Sequence, residues 1–429
     1  MPLLPLEPAD RRPALLLAWL MVVISAATKL GDGVVQALFL ERVGADWLGS
    51  LFVLNSILDF FAGALYLRLA RGAAHGSFFR AVLATAAVAT VTMRAVAATA
   101  HPAAFFAIYA VHGALSMIIT LHWGIYLLDF FPQSRTARVF PVVYAGARIG
   151  GVLGGASLAA LASSTGLADL LFAVALLQLA AAVFAHALSG RAPVVRSANS
   201  GKGLAGEVRA GLATARASPL LRAMAAATAM MVLVRLTLRY LSGDALSTSM
   251  GEAELAGFLG RYLVIANAAG FLLQILVMPR LIARIGVSGA NVAYAALSLF
   301  AFGSMAISYG VWTAAAARLV DSELKDSMKT PLSALFYGAL DPADRARGRA
   351  FILGLVIPLA SVAGGVGIQA ASDLAPRLVV AIGLALAVLF VLASWHQNSG
   401  YRAALRVRMA GLRSGSAEAE DLRRALEAA

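Results

Sequence analysis

An all-α membrane protein, with twelve transmembrane helices in two six-helix halves, is the fold class this sequence predicts, and three observations predict it. Hydrophobic residues fill 60% of the 429 positions and charged residues 13%, with a mean hydropathy of +0.81, too apolar for an ordinary soluble protein. Apolar stretches of the roughly 20 residues that span a bilayer recur along the whole chain. Basic residues gather on alternate connections between those stretches, which is the pattern that orients a membrane bundle.

Each stretch is bounded by charge, glycine or proline. The first half, 14–188, holds 14–38, 47–70, 77–100, 103–131, 139–163 and 167–188; the second, 220–396, holds 220–241, 255–279, 287–309, 312–340, 350–372 and 375–396. Residues 1–13 precede the bundle, and their first apolar stretch is too long for a signal-peptide core, so it reads as retained. Residues 189–219, rich in Arg, Ser, Gly and Ala, read as a cytoplasmic linker, and 397–429 as an Arg-rich cytoplasmic tail. Of the 35 Lys and Arg, 24 fall on the termini, the linker and the connections of the same side, whereas only Arg42 and Arg377 fall on the other. This bias places both termini in the cytoplasm. The connection Arg135-Thr-Ala-Arg138-Val-Phe140 resembles Arg345-Ala-Arg-Gly-Arg349-Ala-Phe351, and each leads into a helix with clustered small residues, Gly150, Gly151, Gly154 and Gly155 in one and Gly364, Gly365 and Gly367 in the other. Such residues let helices approach closely. Two parallel six-helix repeats joined by a basic linker are the plan of major-facilitator transporters.

Several chemistries are excluded. With no cysteine there is no disulfide, thiolate ligand or cysteine nucleophile. No G-x-x-x-x-G-K-[ST] loop occurs, so this chain does not itself hydrolyse a nucleotide to drive pumping. His112 and His122 share a helix but lie about 280° apart around it, which argues against a common metal. No metal and no cofactor are expected. The formal charge of +13 is dispersed through apolar segments with no aromatic-interleaved basic domain, so nucleic acid is not a partner. No nucleophile or acid/base constellation assembles, and the chain reads as a non-enzyme.

The nine remaining basic residues lie inside spans: Lys29, Arg94, Arg148, Arg235, Arg239, Arg261, Arg318, Lys325 and Lys329. Six acids join them, Asp32, Asp59, Asp129, Asp321, Glu323 and Asp326. Each costs about 2.5–3.5 kcal/mol at a helix centre unless it faces water, pairs or snorkels. Arg94, Arg239 and Arg318 sit near outer ends and read as snorkelling. Asp129 lies near Arg135 and Arg138 and reads as a cytoplasmic gate pair, with Arg349 at the repeated connection. Lys29, Arg148, Lys325 and Lys329 lie deeper and read as cavity residues. At 100° per residue, Arg318, Lys325 and Lys329 fall within about 40° of one another with Asp321 beside them, giving one cationic face. Lys29, Asp32 and Gln36 form a stripe on the first helix, and Asn55 and Asp59 another on the second. Only four Lys occur, and three of them, Lys29, Lys325 and Lys329, are intramembrane; a compact ammonium suits a phosphate as a point charge. Trp123 and Tyr126 can stack on a flat ligand or pack in the core.

At His122-Trp123-Gly124, at Arg135 to Phe140 and from Lys325 to Asp341, the sequence resembles the ATP/ADP translocase family, nucleotide transporters within the major facilitator superfamily. The stretch Lys29 to Gly44 resembles its bacterial relatives. Members read K-Y-S-L-F-D-P-T-K-E-M-A-Y-I-P-L-D where this chain reads K-D-S-M-K-T-P-L-S-A-L-F-Y-G-A-L-D, so Lys325, Ser327, Pro331, Tyr337, Leu340 and Asp341 match. The family's central Lys-Glu is Ser333-Ala334 here, and Lys329 is an added base. The resemblance implies an anion exchanger with a basic cavity, with Lys29 and Lys325 at basic positions of the family.

The expectation from sequence is a multi-pass transporter of a bacterial inner membrane, functional as a monomer, moving a nucleotide-like or other phosphorylated anion by alternating access. Lys29, Asp32, Arg148, Arg235, Lys325, Lys329, Trp123 and Tyr126 are its candidate substrate contacts. Asp59, Asp129, Arg138, Asp326 and Arg349 are its candidate gating or coupling residues. Two alternatives stay open: proton-coupled transport of another organic solute, with Asp32, Asp59 or Asp326 as the proton site, and a non-transporting module that recruits a partner. For the topology, Ser197→Cys and Ser414→Cys in this Cys-free chain are each expected to resist an impermeant thiol reagent in sealed right-side-out vesicles. Labelling of either from outside overturns the orientation.

Overall fold

The computed structural model describes residues 8–70, 73–131, 133–188, 204–340 and 342–410; within them the side chains of 8–9, 67, 128, 133–138, 141, 204–205, 207–208, 342–343, 346 and 408–410 are not described. Among the described residues every element is helical. Ten helices among the described residues are long and apolar enough to cross a membrane, which makes this a multi-pass membrane protein. One of the ten runs from Glu252 to Ile307 and is broken by Gly286, whose φ of 72° and ψ of 177° end the helical path. Residues 311–338 form a further helical run, with six charged residues, Arg318, Asp321, Glu323, Lys325, Asp326 and Lys329, between 318 and 329.

The chain divides into two compact units, one of residues 1–44, 57–200 and 250–271, the other of 45–56, 201–249 and 272–429. In the first, α1 (Pro8–Arg42) packs on α4 (Pro102–Leu128), α5 (Gln133–Leu161) and α6 (Leu170–Leu188), while α3 (His75–Ala97) packs on α4 and α6. A Cβ on Gly146, Gly150 or Gly154 would collide with the carbonyl of Ala18, Val22 or Ala26 respectively. Both series step by four residues, so one i±4 ridge of α5 lies directly on the backbone of α1. The hydroxyl of Ser25 donates to the Ala147 carbonyl at 2.6 Å in the same seam. On its other side α5 meets α9 (Glu252–Leu272), where a Cβ on Gly155 would stand 2.8 Å from the Gly260 carbonyl and one on Gly260 2.7 Å from the Gly155 carbonyl.

The second unit repeats that contact with different helices. The start of α2 (Leu48–Leu69) meets α14 (Ile357–Ala371), and a Cβ on Gly49 or Gly365 would lie 2.7 Å from the other's carbonyl. Gln369 fixes the crossing, its Oε1 accepting from the Ser50 amide at 2.9 Å and hydroxyl at 2.7 Å. Around α8 (Pro219–Ser247) pack α11 (Val311–Arg318), α14 and α15 (Pro376–Ala410), with α10 (Met278–Ile307) against α15. Part of the expected linker is a helix, α7 (Leu204–Ala217), lying on α13 (Pro342–Phe351); 189–203 lie outside the described residues. Proline opens α4, α8, α13 and α15 at the first turn, where its missing N–H costs nothing.

Three stretches, Leu273–Val277, Leu319–Lys329 and Ile352–Val356, are wound as π-helix. Each ends two residues before a proline, Pro279, Pro331 or Pro358. A proline ring inside a helix clashes with the carbonyl four residues back and offers it no donor. The turn before each proline is widened to i→i+5 bonds, with the Met278, Thr330 and Ile357 amides donating to the Leu273, Lys325 and Ile352 carbonyls. The helical run from Val311 continues through α12 (Thr330–Gly338).

Glycine contacts give a direct test. Gly260→Val and Gly365→Val force side chains into backbone and are expected to cost at least about 1–3 kcal/mol each, read as a lowered unfolding temperature in detergent. Gly303, one turn before the end of α10 and with nothing within 4 Å of its Cβ position, is expected to accept Ala with no loss and a gain of up to about 1 kcal/mol.

Candidate functional site

In the first unit, Asp32 on α1 is shared by two bases. Lys29 Nζ lies 3.8 Å from Asp32 Oδ2, and His112 of α4 places Nε2 3.1 Å from Oδ1. The imidazole is buried, while lysine and carboxylate remain part-exposed. Gly31 makes the approach possible, because a Cβ there would collide with His112 Cε1. Lys29 and Asp32 thus come together as their spacing predicts, and His112 is a partner to which sequence reasoning gave no role. Arg148 is half-buried on α5, Asp59 half-buried on α2.

Nearer the other end of α4 runs a second polar chain. His122 Nε2 donates to the His75 carbonyl at 2.9 Å, which leaves Nδ1 to accept from the Tyr66 hydroxyl at 2.9 Å. His75 Nδ1 donates to both carboxylate oxygens of Asp129, at 2.9 and 3.0 Å. The partner of Asp129 seen here is therefore His75 rather than Arg135 or Arg138; the gate role expected of Arg138 falls on a side chain outside the described residues. Trp123 and Tyr126 are each 1% exposed and pack with Phe79, Leu127 and Ile119 in the core. That corrects the stacking role expected of them, since neither ring offers a face to a ligand. Arg94, expected to snorkel, instead donates from Nε to Asp169 at 2.6 Å, and Arg42 pairs with Glu252 at 2.6 Å.

The second unit gathers the charges of the tenth segment, and the π-helix changes which of them share a face. A helix bonded i→i+5 winds more residues into each turn than 3.6, so the single cationic stripe expected from a 100° step does not form. Asp321, buried, faces α8: Arg235 Nε lies 3.0 Å from Oδ1 and also donates to the Asp321 carbonyl at 2.8 Å, while Arg239 meets Oδ2 at 3.0 Å. Arg239 is thereby corrected from a snorkelling residue to half of a buried pair. Lys325 pairs with its neighbour Asp326 at 2.7 Å, Asp326 being exposed and Lys325 part-exposed. Lys329 is 3% exposed and donates to Asn291 Oδ1 at 2.6 Å, with the rings of Phe336 and Phe390 each 5.9 Å away. A substrate contact from Lys329 is corrected accordingly: in this conformation an amide oxygen and two π-faces surround its ammonium. Asn291, invisible as a site residue in the sequence, is held by Ser394 and Asn398. Arg349 is exposed on α13, and Arg345 beside it caps α12 by donating to the Gly338 and Leu340 carbonyls, both at 2.9 Å.

The Asp321 cluster sets two guanidiniums on one carboxylate in a low-dielectric setting, and Arg235, Arg239 and Lys325 keep 20–34% of their side-chain surface open.

No protein-family model matches the chain, and no curated protein matches it. Its fold is that of solved transport proteins. A mutant of the nucleoside transporter NupG superposes with a TM-score of 0.69 at 14% identity, over 90% of this chain and 99% of that one. An auto-inhibited POT family peptide transporter gives 0.62 at 11% identity, over 90% and 96%. A bacterial homologue of the iron transporter ferroportin, in an inward-facing state, gives 0.60 at 13% identity, over 92% and 100%.

Removing one member of a buried charge cluster strands the others, so Asp321→Asn is expected to destabilise by about 3–5 kcal/mol. Lys329→Met is expected to cost less, because relief of the buried ammonium's desolvation offsets the lost hydrogen bond. Thermal unfolding of the two variants side by side checks the order; a more stable Asp321→Asn overturns it.

Proposed function

We propose that this protein is a twelve-helix major-facilitator transporter that moves a nucleotide-like or other phosphorylated anion by alternating access, as an exchanger. The single observation that carries this reading is the Arg235–Asp321–Arg239 cluster, two cations on one acid with part of their surface open, next to the Lys325–Asp326 pair. Cations gathered inside a bilayer repel one another and resist passage through a closed empty state, and a bound anion lowers that penalty. Twelve crossings follow if the kinked Glu252–Ile307 run counts as two and residues 311–338 as one. The fold likeness to a nucleoside transporter supports a related ligand, and the added phosphate is what the excess cations suit. Lys29 and Lys325 act as ligand contacts, as the resemblance to the ATP/ADP translocase family implies. The chain works as a monomer in a bacterial inner membrane with both termini cytoplasmic.

A second reading, proton-coupled uptake of another solute, is favoured by one observation: Asp32 is bonded to an imidazole, His112, a pair able to hold or release one proton. In proteoliposomes, uptake of labelled nucleotide is expected to rise when the same class of anion is preloaded, and Lys325→Ala is expected to abolish it, with Lys325→Arg poorly tolerated. Parental rates in both Lys29→Ala and Lys325→Ala overturn exchange. Uptake driven by an imposed pH step and lost in His112→Ala puts the proton-coupled reading in its place.

A further inference from the structure

We propose that the groove between α10 and α15 is a binding site for the headgroup of an anionic phospholipid. The groove has a volume of about 570 Å³ and is lined by residues of α10 and α15, none of them in the Asp321 cluster. Trp395, Ser399, Arg402 and Arg406 line it from α15. They recur at i, i+4, i+7 and i+11, one stripe of that helix. The opposite stripe, Ser394, Gln397, Tyr401 and Leu405, is buried. Ser288 of α10 and Asn398 make the floor.

Each part suits a different piece of one molecule. Two guanidiniums on successive turns line the groove, and each carries five donors in a planar fork, enough to engage a phosphate beside a partner within the protein. Asn398 is held in place, its Nδ2 donating to the Ser288 carbonyl at 3.0 Å. The Ser288 hydroxyl, on a residue 3% exposed, has no hydrogen-bond partner among the described residues. Such a buried polar atom calls for a partner that the protein does not supply. Trp395 is 69% exposed, and along α15 it stands between the apolar run 378–392 and the basic end, the level at which tryptophan marks the membrane interface. From Trp395 to Arg402 the helix rises about 10 Å, the distance from the acyl boundary into the headgroups. Ile285 and Val292 complete an apolar wall. A soluble phosphate has no use for that wall, whereas a diacyl lipid fills it with its chains while its phosphate meets the arginines.

The full chain is tested in mixed micelles and in vesicles. Phosphatidylglycerol, compared with phosphatidylcholine at equal mole fraction, is expected to raise the unfolding temperature of the parent. Arg402→Gln with Arg406→Gln is expected to lose that shift, and Arg11→Gln with Arg12→Gln, which removes the same charge elsewhere, to keep it. Preference for the anionic lipid is expected to be about fivefold for each arginine engaged. Should the double variant not fold, brominated lipids settle the matter on folded parent: the fluorescence that distinguishes parent from Trp395→Phe is expected to be quenched more by brominated phosphatidylglycerol than by brominated phosphatidylcholine. An equal shift from inorganic phosphate, an undiminished shift in the Arg402/Arg406 variant, loss of the shift in the Arg11/Arg12 control, or equal quenching by both brominated lipids overturns the proposal.

Discussion

Hydrocarbon offers nothing to an unpaired amide, so every backbone group inside a bilayer must find its partner within the chain. That constraint explains why the described elements are helical. The turn before each of Pro279, Pro331 and Pro358 widens, and the amide just ahead of the proline bonds the carbonyl five residues back. The longest widened stretch is also the most highly charged, 319–329. Its winding sends Asp321 toward Arg235 and Arg239 and Lys329 toward Asn291, so the backbone constraint settles which charges meet.

A shared solution to buried charge recurs in both units. One carboxylate serves two bases: Asp32 for Lys29 and His112, Asp321 for Arg235 and Arg239. Removing either base would leave the carboxylate with fewer partners, at a cost in stability. The arrangement needs helices close enough to share an atom, and glycine supplies this on α1, where Gly31 admits the imidazole.

Much of this was legible in the sequence. Apolar runs and basic asymmetry point to a multi-pass bundle, and the Lys29-x-x-Asp32 spacing gives the first-unit pair, because i, i+3 geometry is local. The close approach of α5 follows from Gly150 and Gly154. Three things were not legible. His112 reaches Asp32 from another helix, and no local spacing encodes a contact 80 residues apart. Asn291 looks like any polar residue of an apolar segment until Lys329 is placed on it. The winding of the tenth segment was hidden by assuming 3.6 residues per turn, although Pro331 inside an otherwise helical pattern was the available warning.

The choice between lysine and arginine at these sites follows from the acceptors that the fold supplies. Arginine carries five donors in a fixed fork and is content only where several acceptors converge. Asp321 gives its carboxylate and its own backbone carbonyl, with Arg239 donating to Oδ2 and Arg235 to the carbonyl, and there arginines are found. Lys329 meets a single amide oxygen with a ring on either side. A guanidinium in that cage would leave most of its donors unbonded in an apolar core, whereas an ammonium satisfies one donor on Asn291 and turns the rest of its charge to the π-faces. The scarcity of lysine in a chain rich in arginine thus acquires a local cause, since the compact cation is used where the surrounding helices leave room for a point charge and not for a plane.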